Sequence, residues 1–568
     1  MERGGRDSSD GAADDPEAGK VGRRQRAVRG VRVNAIRSTC PFCGCGCGVC
    51  LLVDGARLVG SAPIRNHKVS GGRLCERGWH AHEPSVWGKR VAEPLVRRDG
   101  RLVAVGWKLA IAEAASRLRA VLAGRGRVAA FGSARATDEE NYLLVRLARG
   151  ALRTPHVDVP GRESFAPLLE GAGFPGGGLP VVSLDDVETS EVIILVEGDL
   201  ARTHPRLASA VLRAIRRGGR LVTIGWARTQ MVALAAAHLG ARPGDEAAAA
   251  RELRAAVDRA SREGDRARED KGGREPCEAA TRAGGWLAGA RRSCVLVPPT
   301  GSGPVRGSAA ARELGELRGS LGGLGPAACR LAIVSPRSNL LGALAVGCAP
   351  NRLPGFAPVG DGDTGRRMRE AWGGEAECGQ GESGDELLGQ VQGLVVLGTE
   401  SASAVSAWLE APGEDRPPGP LIVLDAFDTE LTRAADVVLP VAAPAESEGS
   451  YTNLEGRVQA VRPALPPPGQ ARQGWHVLVE LAEACGSRAR LGSLVDVQRE
   501  MAEVTRLDGA LPKRDETPGS AEAQEAPVGE QEPATPEAFP IAVAVAGVPG
   551  WESDVLVVSS PTLDRDGA

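Results

Sequence analysis

The chain has 568 residues, a net charge of −3 from 69 Lys and Arg against 72 Asp and Glu, and aromatic residues at only 3%. That balance gives no broad field of the kind that draws nucleic acid or an anionic membrane surface. No apolar run reaches the roughly 18–20 residues that cross a bilayer, and the length leaves room for about three or four domains with their own cores.

Residues 1–30 are polar and then basic, and read as a disordered arm. Arg23-Arg24 is not followed by the apolar stretch that an export signal needs. Residues 31–95 are rich in Gly and Cys, with short alternating runs such as Gly48 to Val53, and predict a small hairpin-built module. Six of the 12 cysteines fall between Cys40 and Cys75. Cys40-x2-Cys43-x3-Cys47, then 27 residues, then Cys75, offers three thiolates from one loop and a fourth from a distance. Soft ligands converging in this way suit a [4Fe–4S] cluster, which passes electrons; structural zinc is the alternative, although zinc sites usually pair two short hooks. Gly44, Gly46 and Gly48 let the loop wrap closely, and Cys45 and Cys50 read as spectators.

From Trp107 the pattern changes to helix and strand in alternation. Leu109, Ala110, Ala112, Ala115, Leu118 and Leu122 recur at helical spacing, and Arg127 to Gly132 reads as a strand. A second helix is predicted over Asp138 to Leu152. Glu191 to Val196, Pro205 to Arg217 and Arg220 to Ile224 then form strand, helix, strand, a βαβ unit with a parallel sheet. A charged, apolar-poor stretch runs from about Asp258 to Gly285. Further strands follow at Ser293 to Val297, Leu331 to Val334, Gly393 to Leu397, Leu421 to Leu424 and Ala435 to Pro440. Residues 487–568 turn polar and read as a largely disordered tail, with Ile541 to Val545 as one late candidate strand. No Gly-x-Gly-x-x-Gly follows a predicted strand, which removes the simplest route to a nicotinamide cofactor.

Several of these stretches resemble the molybdopterin oxidoreductase superfamily, which holds formate dehydrogenase catalytic subunits and the large G subunit of bacterial NADH–quinone oxidoreductase. Leu74-Cys75-Glu76-Arg77-Gly78 is similar to its LCxKG, and Gly132-Ser133-Ala134-Arg135 through Asn141-Tyr142 to its SARxTNEExY. Asp425 to Glu430 resembles DxFxTET, Ala435 to Pro440 resembles ADVVLP, and Glu446 to Gln459 resembles EKEGTFTNTEGRVQ. The resemblance implies an α/β fold in which a small N-terminal [4Fe–4S] module precedes two doubly wound parallel-sheet domains, one inserted in the other. On this sequence the host domain covers 96–163 and 286–486, and the insert covers 164–285. It implies Cys40, Cys43, Cys47 and Cys75 as ligands of one cluster, and puts Arg77 at the family's Lys position between cluster and pterin.

The same comparison exposes departures. Ser164 stands where the family's formate dehydrogenases carry a molybdenum-ligating Cys or selenocysteine, and Phe165 where they carry a catalytic His. Gly225 replaces an Asp that receives guanine N–H groups, and Glu400 puts a carboxylate where phosphates approach. The family's C-terminal cap over the dinucleotide has no counterpart in the 82 residues after Gly486. Three expectations follow. The first is an iron–sulfur electron-transfer subunit of a redox complex, resembling the G subunit and without working molybdenum chemistry. The second is a molybdopterin-dependent, formate dehydrogenase-like enzyme holding molybdopterin guanine dinucleotide. The third is a structural, non-redox subunit. The expected partners are other iron–sulfur or flavin subunits, in the cytoplasm or at the inner face of the membrane through those partners, with no transmembrane segment and no nucleic acid.

Overall fold

The computed structural model describes residues 33–506, apart from 88, 175–178, 264–276, 300–303, 322–328, 383–386, 399, 401–404, 406–418 and 489–490. The expected N-terminal arm, the late strand at Ile541 to Val545 and the remainder of the tail lie outside the described residues.

Three antiparallel strands build the N-terminal module: β1 (Asn34–Thr39), β2 (Gly48–Asp54) and β3 (Arg57–Pro63). The register sets Thr39 opposite Gly48, so the cysteine loop closes the β1–β2 hairpin, and the Cys40 N–H donates to the Cys47 carbonyl at 2.9 Å just beyond the last rung. Alternation along β2 buries Val49, Leu51 and Val53 on one face.

The host domain is a seven-stranded sheet. Its strands are β4 (Leu95–Arg98), β5 (Arg101–Ala104), β6 (Val128–Phe131), β7 (Val157–Asp158), β15 (Gly393–Leu397), β16 (Leu421–Asp425) and β17 (Val437–Pro440), in the order β5-β4-β17-β16-β15-β6-β7. Strands β17, β16, β15, β6 and β7 run parallel, and β4 and β5 extend one edge antiparallel. A second sheet is wholly parallel. It comprises β8 (Val192–Val196), β9 (Arg220–Gly225), β10 (Ala237–Gly240), β11 (Ser293–Val297) and β12 (Cys329–Ile333), in the order β10-β9-β8-β11-β12. Both are doubly wound, with helices on their faces covering near-continuous apolar strands such as Val192-Ile193-Ile194-Leu195-Val196. Two short hairpins complete the strands: β13 (Arg352–Leu353) with β14 (Ala357–Pro358), and β18 (Gly449–Thr452) with β19 (Val458–Val461).

Two expectations need correction. The insert does not end at 285, because β11 and β12 pair in the second sheet and the chain rejoins the first sheet only at β15. Strands buried on both faces carry no alternation, so apolar runs do not declare which sheet they join. The tail is also not disordered from 487 onward. Leu494–Thr505 is a helix capped by the Ser493 hydroxyl, and it buries Val497 and Val504.

The module sits on the insert. Cys40, Phe42, Cys43, Cys45 and Cys47 share one buried apolar cluster with Ile193, Leu195, Leu296 and Ala332 from the second sheet.

Candidate cluster site and the adjoining cavity

Cys40, Cys43, Cys45 and Cys47 are buried, and Cys75 is half-buried just before the short helix Glu76–Trp79. The loop's backbone needs glycine at two places. Gly46 has φ +66°, where a Cβ would strain the chain and also run into Gln459 and Asn453; a Cβ on Gly44 would run into the Ser335 carbonyl. The loop is clamped from the other end of the sequence. The Leu454 N–H donates to the Gly44 carbonyl at 2.7 Å, Gln459 Nε2 to the Gly46 carbonyl at 2.9 Å, and Asn453 Nδ2 to the Cys45 carbonyl at 3.4 Å. The Thr452 to Gln459 stretch is therefore the brace of the cysteine loop.

The thiols sit close enough to act on each other. Burial pushes Cys40 up to about 12, and Cys43 and Cys75 add to the rise. Burial raises Cys47 too, with Cys40, Cys43 and Cys75 contributing. Cys43 is the exception, held low by a hydrogen bond from Cys45 and by the His204 and Arg77 charges. Four buried thiols do not shed their protons together unless a multivalent cation relieves both burial and mutual repulsion. An iron centre is such a cation. Among the described residues, no three His, Cys, Asp or Glu side chains converge as tightly as a single ion requires; zinc would draw its sulfurs to about 2.3 Å from one point.

Arg77 joins this group. Burial opposes its charge, but Cys43, Cys75 and Cys40 outweigh that and raise its pKa. Its guanidinium donates to the Thr203 carbonyl in the insert. Next to it, His204 is 1% exposed, with Nε2 2.8 Å from the Ser335 carbonyl. Sequence reasoning did not single out His204, and it read Cys45, like Cys50, as a spectator. Cys45 belongs to the thiol group, whereas Cys50 stands apart on β2, influenced by burial and Arg37 alone.

A cavity of about 100 Å³ opens at the carboxyl ends of β6, β15 and β16, lined by Arg135, Glu140, Glu400, Asp425, Ser447 and Tyr451 among others. It lies where the strand order reverses between β6 and β15, the usual ligand crevice of a doubly wound sheet. Glu400 does face it, but not as a bare charge. Arg135 Nε is 3.0 Å from one carboxylate oxygen and Ser133 Oγ donates to the other at 2.7 Å. Arg135 also donates from Nη1 to the Pro41 and Phe42 carbonyls at 2.8 and 3.3 Å, which ties the cavity to the cysteine loop.

Ser164 and Phe165 take no part in either feature. Ser164 Oγ donates to the Gly161 carbonyl at 3.1 Å in the first turn of the helix Arg162–Gly171, and Phe165 is buried in the main core. Neither lines the cavity. Beside Gly225 a carboxylate comes from the end of the adjacent strand: a Cβ there would run into Glu197 Oε1, which accepts the Trp226 N–H at 2.8 Å. Glu197 and Gly225 line a second, smaller pocket with Thr223, Thr229 and His238.

The Molybdopterin oxidoreductase Fe4S4 domain matches residues 33–84, and the Molybdopterin oxidoreductase family model matches 90–260 and 379–484. The chain belongs to the molybdopterin oxidoreductase family. Its Fe4S4 domain supports one [4Fe–4S] cluster, and its molybdopterin domain makes molybdopterin guanine dinucleotide possible. Among its relatives is the F420-dependent formate dehydrogenase subunit alpha of Methanocaldococcus jannaschii, 26% identical over 499 residues, or 83% of this chain and 73% of that one. Another is the NADPH-Fe(3+) oxidoreductase subunit alpha of Geobacter sulfurreducens, 27% identical over 506 residues, 82% of this chain and 57% of that one. The acetylene hydratase from Pelobacter acetylenicus shares the fold, with a TM-score of 0.53 at 14% identity over 79% of this chain and 69% of that one.

Proposed function

We propose that this chain is the cluster-bearing electron-transfer subunit of a larger redox complex, working without molybdenum chemistry. The observation that carries this reading is the contrast between two sites. Cys40, Cys43 and Cys47 are buried on a braced loop with half-buried Cys75 beside them, while Ser164 Oγ is spent on its own helix and Phe165 on the core. The four cysteines would hold the cluster, whose chemistry is one-electron exchange. Cys45 would donate a hydrogen bond to the Cys43 sulfur, and Arg77 would set positive charge beside the group. The residues at the family's metal-ligand loop do not fit molybdenum, because the Ser164 hydroxyl is engaged by the Gly161 carbonyl and Phe165 carries no proton.

A second reading, a molybdopterin-dependent oxidoreductase acting on formate as some relatives' names state, gains from Glu197, which restores a carboxylate beside Gly225. The relatives named as alpha subunits support partners, and those would be iron–sulfur or flavin proteins. Among the described residues no helix is long and apolar enough to cross a membrane, so membrane association would run through the partners. The free thiols favour a reducing, cytoplasmic setting.

Purification of the native complex tests the reading. Iron–sulfur or flavin subunits should copurify, and the isolated chain should oxidise no formate with an artificial acceptor. A lone chain that turns over formate would overturn it.

A further inference from the structure

We propose that the buried Arg135–Glu400 pair sets the reduction potential of the cluster, with Arg135 as a positioning residue that couples the cavity to the cysteine loop. This rests on the reading that the loop holds the cluster.

The pair is placed for that role. Pro41 and Phe42 lie between Cys40 and Cys43, and Arg135 Nη1 donates to both of their carbonyls. The guanidinium is therefore fixed against the backbone segment that joins two of the cysteines. Its other edge is fixed by Glu400, and the two side chains are only 10% and 9% exposed. Ser133 locks the pair from below: its Oγ donates to Glu400 at 2.7 Å and accepts the Arg135 N–H at 3.1 Å. Tyr451, the residue before the brace of the cysteine loop, donates its hydroxyl to the Arg135 carbonyl at 2.8 Å. Cation and anion thus point in different directions on one rigid mount. Both line the cavity, and Arg135 alone of the two reaches on to the cysteine loop.

Charge near a redox centre acts on its one-electron equilibrium. A fixed cation favours the state carrying the extra electron and a fixed anion opposes it, with little screening inside a protein. The two charges of the pair offset each other, so the loop feels their difference. Removing one partner exposes the other. A unit charge on the order of 10 Å from the centre, at an effective dielectric near 20, changes the ratio of reduced to oxidised centre roughly tenfold. Anything that enters the cavity and engages Glu400 would be felt at the loop through Arg135.

The full chain carrying iron, reduced stepwise and followed by the electron paramagnetic resonance signal of the reduced cluster, supplies the test. At the wild-type midpoint, Glu400→Gln should raise the reduced-to-oxidised ratio roughly tenfold, and Arg135→Gln should lower it by a similar factor. The double variant should return to within about threefold of wild type, and Arg135→Lys, which keeps the charge, should stay within the same bound. Glu400→Gln removes the charge at nearly constant shape and keeps one acceptor oxygen for Ser133 Oγ, so it decides the matter alone if the Arg135 variants shed iron. A merely structural role would lower iron content and leave the ratio alone. Full iron in Glu400→Gln with a ratio within twofold of wild type would overturn the proposal. A wild-type chain that binds no iron would fail at the earlier step, the cluster itself.

Discussion

Cys75→Ser should lose most of the roughly four irons that a [4Fe–4S] chain holds, while Cys50→Ser keeps them. Cys75 is the one member of the group that does not come from the loop between β1 and β2, and the spare loop thiol, Cys45, could take its place only by leaving Cys43 and remaking the loop. Its charge acts on Cys40, Cys45 and Cys47, which puts it inside the group. Cys50 lies on β2 opposite Arg37 and Ala62, and its thiol is influenced by burial and Arg37 but by no other cysteine. Iron per chain in matched anaerobic preparations reads the difference directly. Equal retention in both variants, or equal loss, would break the ligand assignment.

Glu500→Ala should destabilise the fold by about 3–5 kcal/mol, the usual consequence of taking one partner from a buried ion pair. Glu500 sits on the C-terminal helix and accepts from Tyr142 Oη at 3.0 Å while pairing with Arg146 Nε at 3.0 Å. Arg146 is only 1% exposed, and Trp372 Nε1 donates to the same Tyr142 hydroxyl at 2.9 Å. The alanine variant leaves a guanidinium in the core without its carboxylate. Urea unfolding followed by tryptophan fluorescence should show the midpoint fall, with Glu500→Gln intermediate. A loss under about 1 kcal/mol would mean that Leu494–Thr505 is not packed as described.

The cysteine group was legible because spacing alone brings three thiols onto one loop, and the glycines between them serve only a loop that wraps tightly. The braces were not. Arg135 and Glu400, or Cys45 and Asn453, are hundreds of residues apart and meet only through the order of strands in the sheets. Sheet membership was hidden for a similar reason: Ser293–Val297 is buried throughout, and nothing in such a run says which parallel neighbour it will take. Glu197 left no local signal, because it meets Gly225 only through the pairing of two strands whose ends lie side by side. The C-terminal helix did carry a local signal, Ser493 followed three residues later by Asp496, with Val497 and Val504 on one face. Low overall hydrophobicity in the surrounding tail masked it.

Iron, molybdenum, tungsten and zinc measured together on the anaerobically purified full chain test the central claim most directly. The account predicts about four irons per chain with neither molybdenum nor tungsten. Molybdenum or tungsten near one per chain, with a pterin fluorescence signature after acid oxidation, would contradict it.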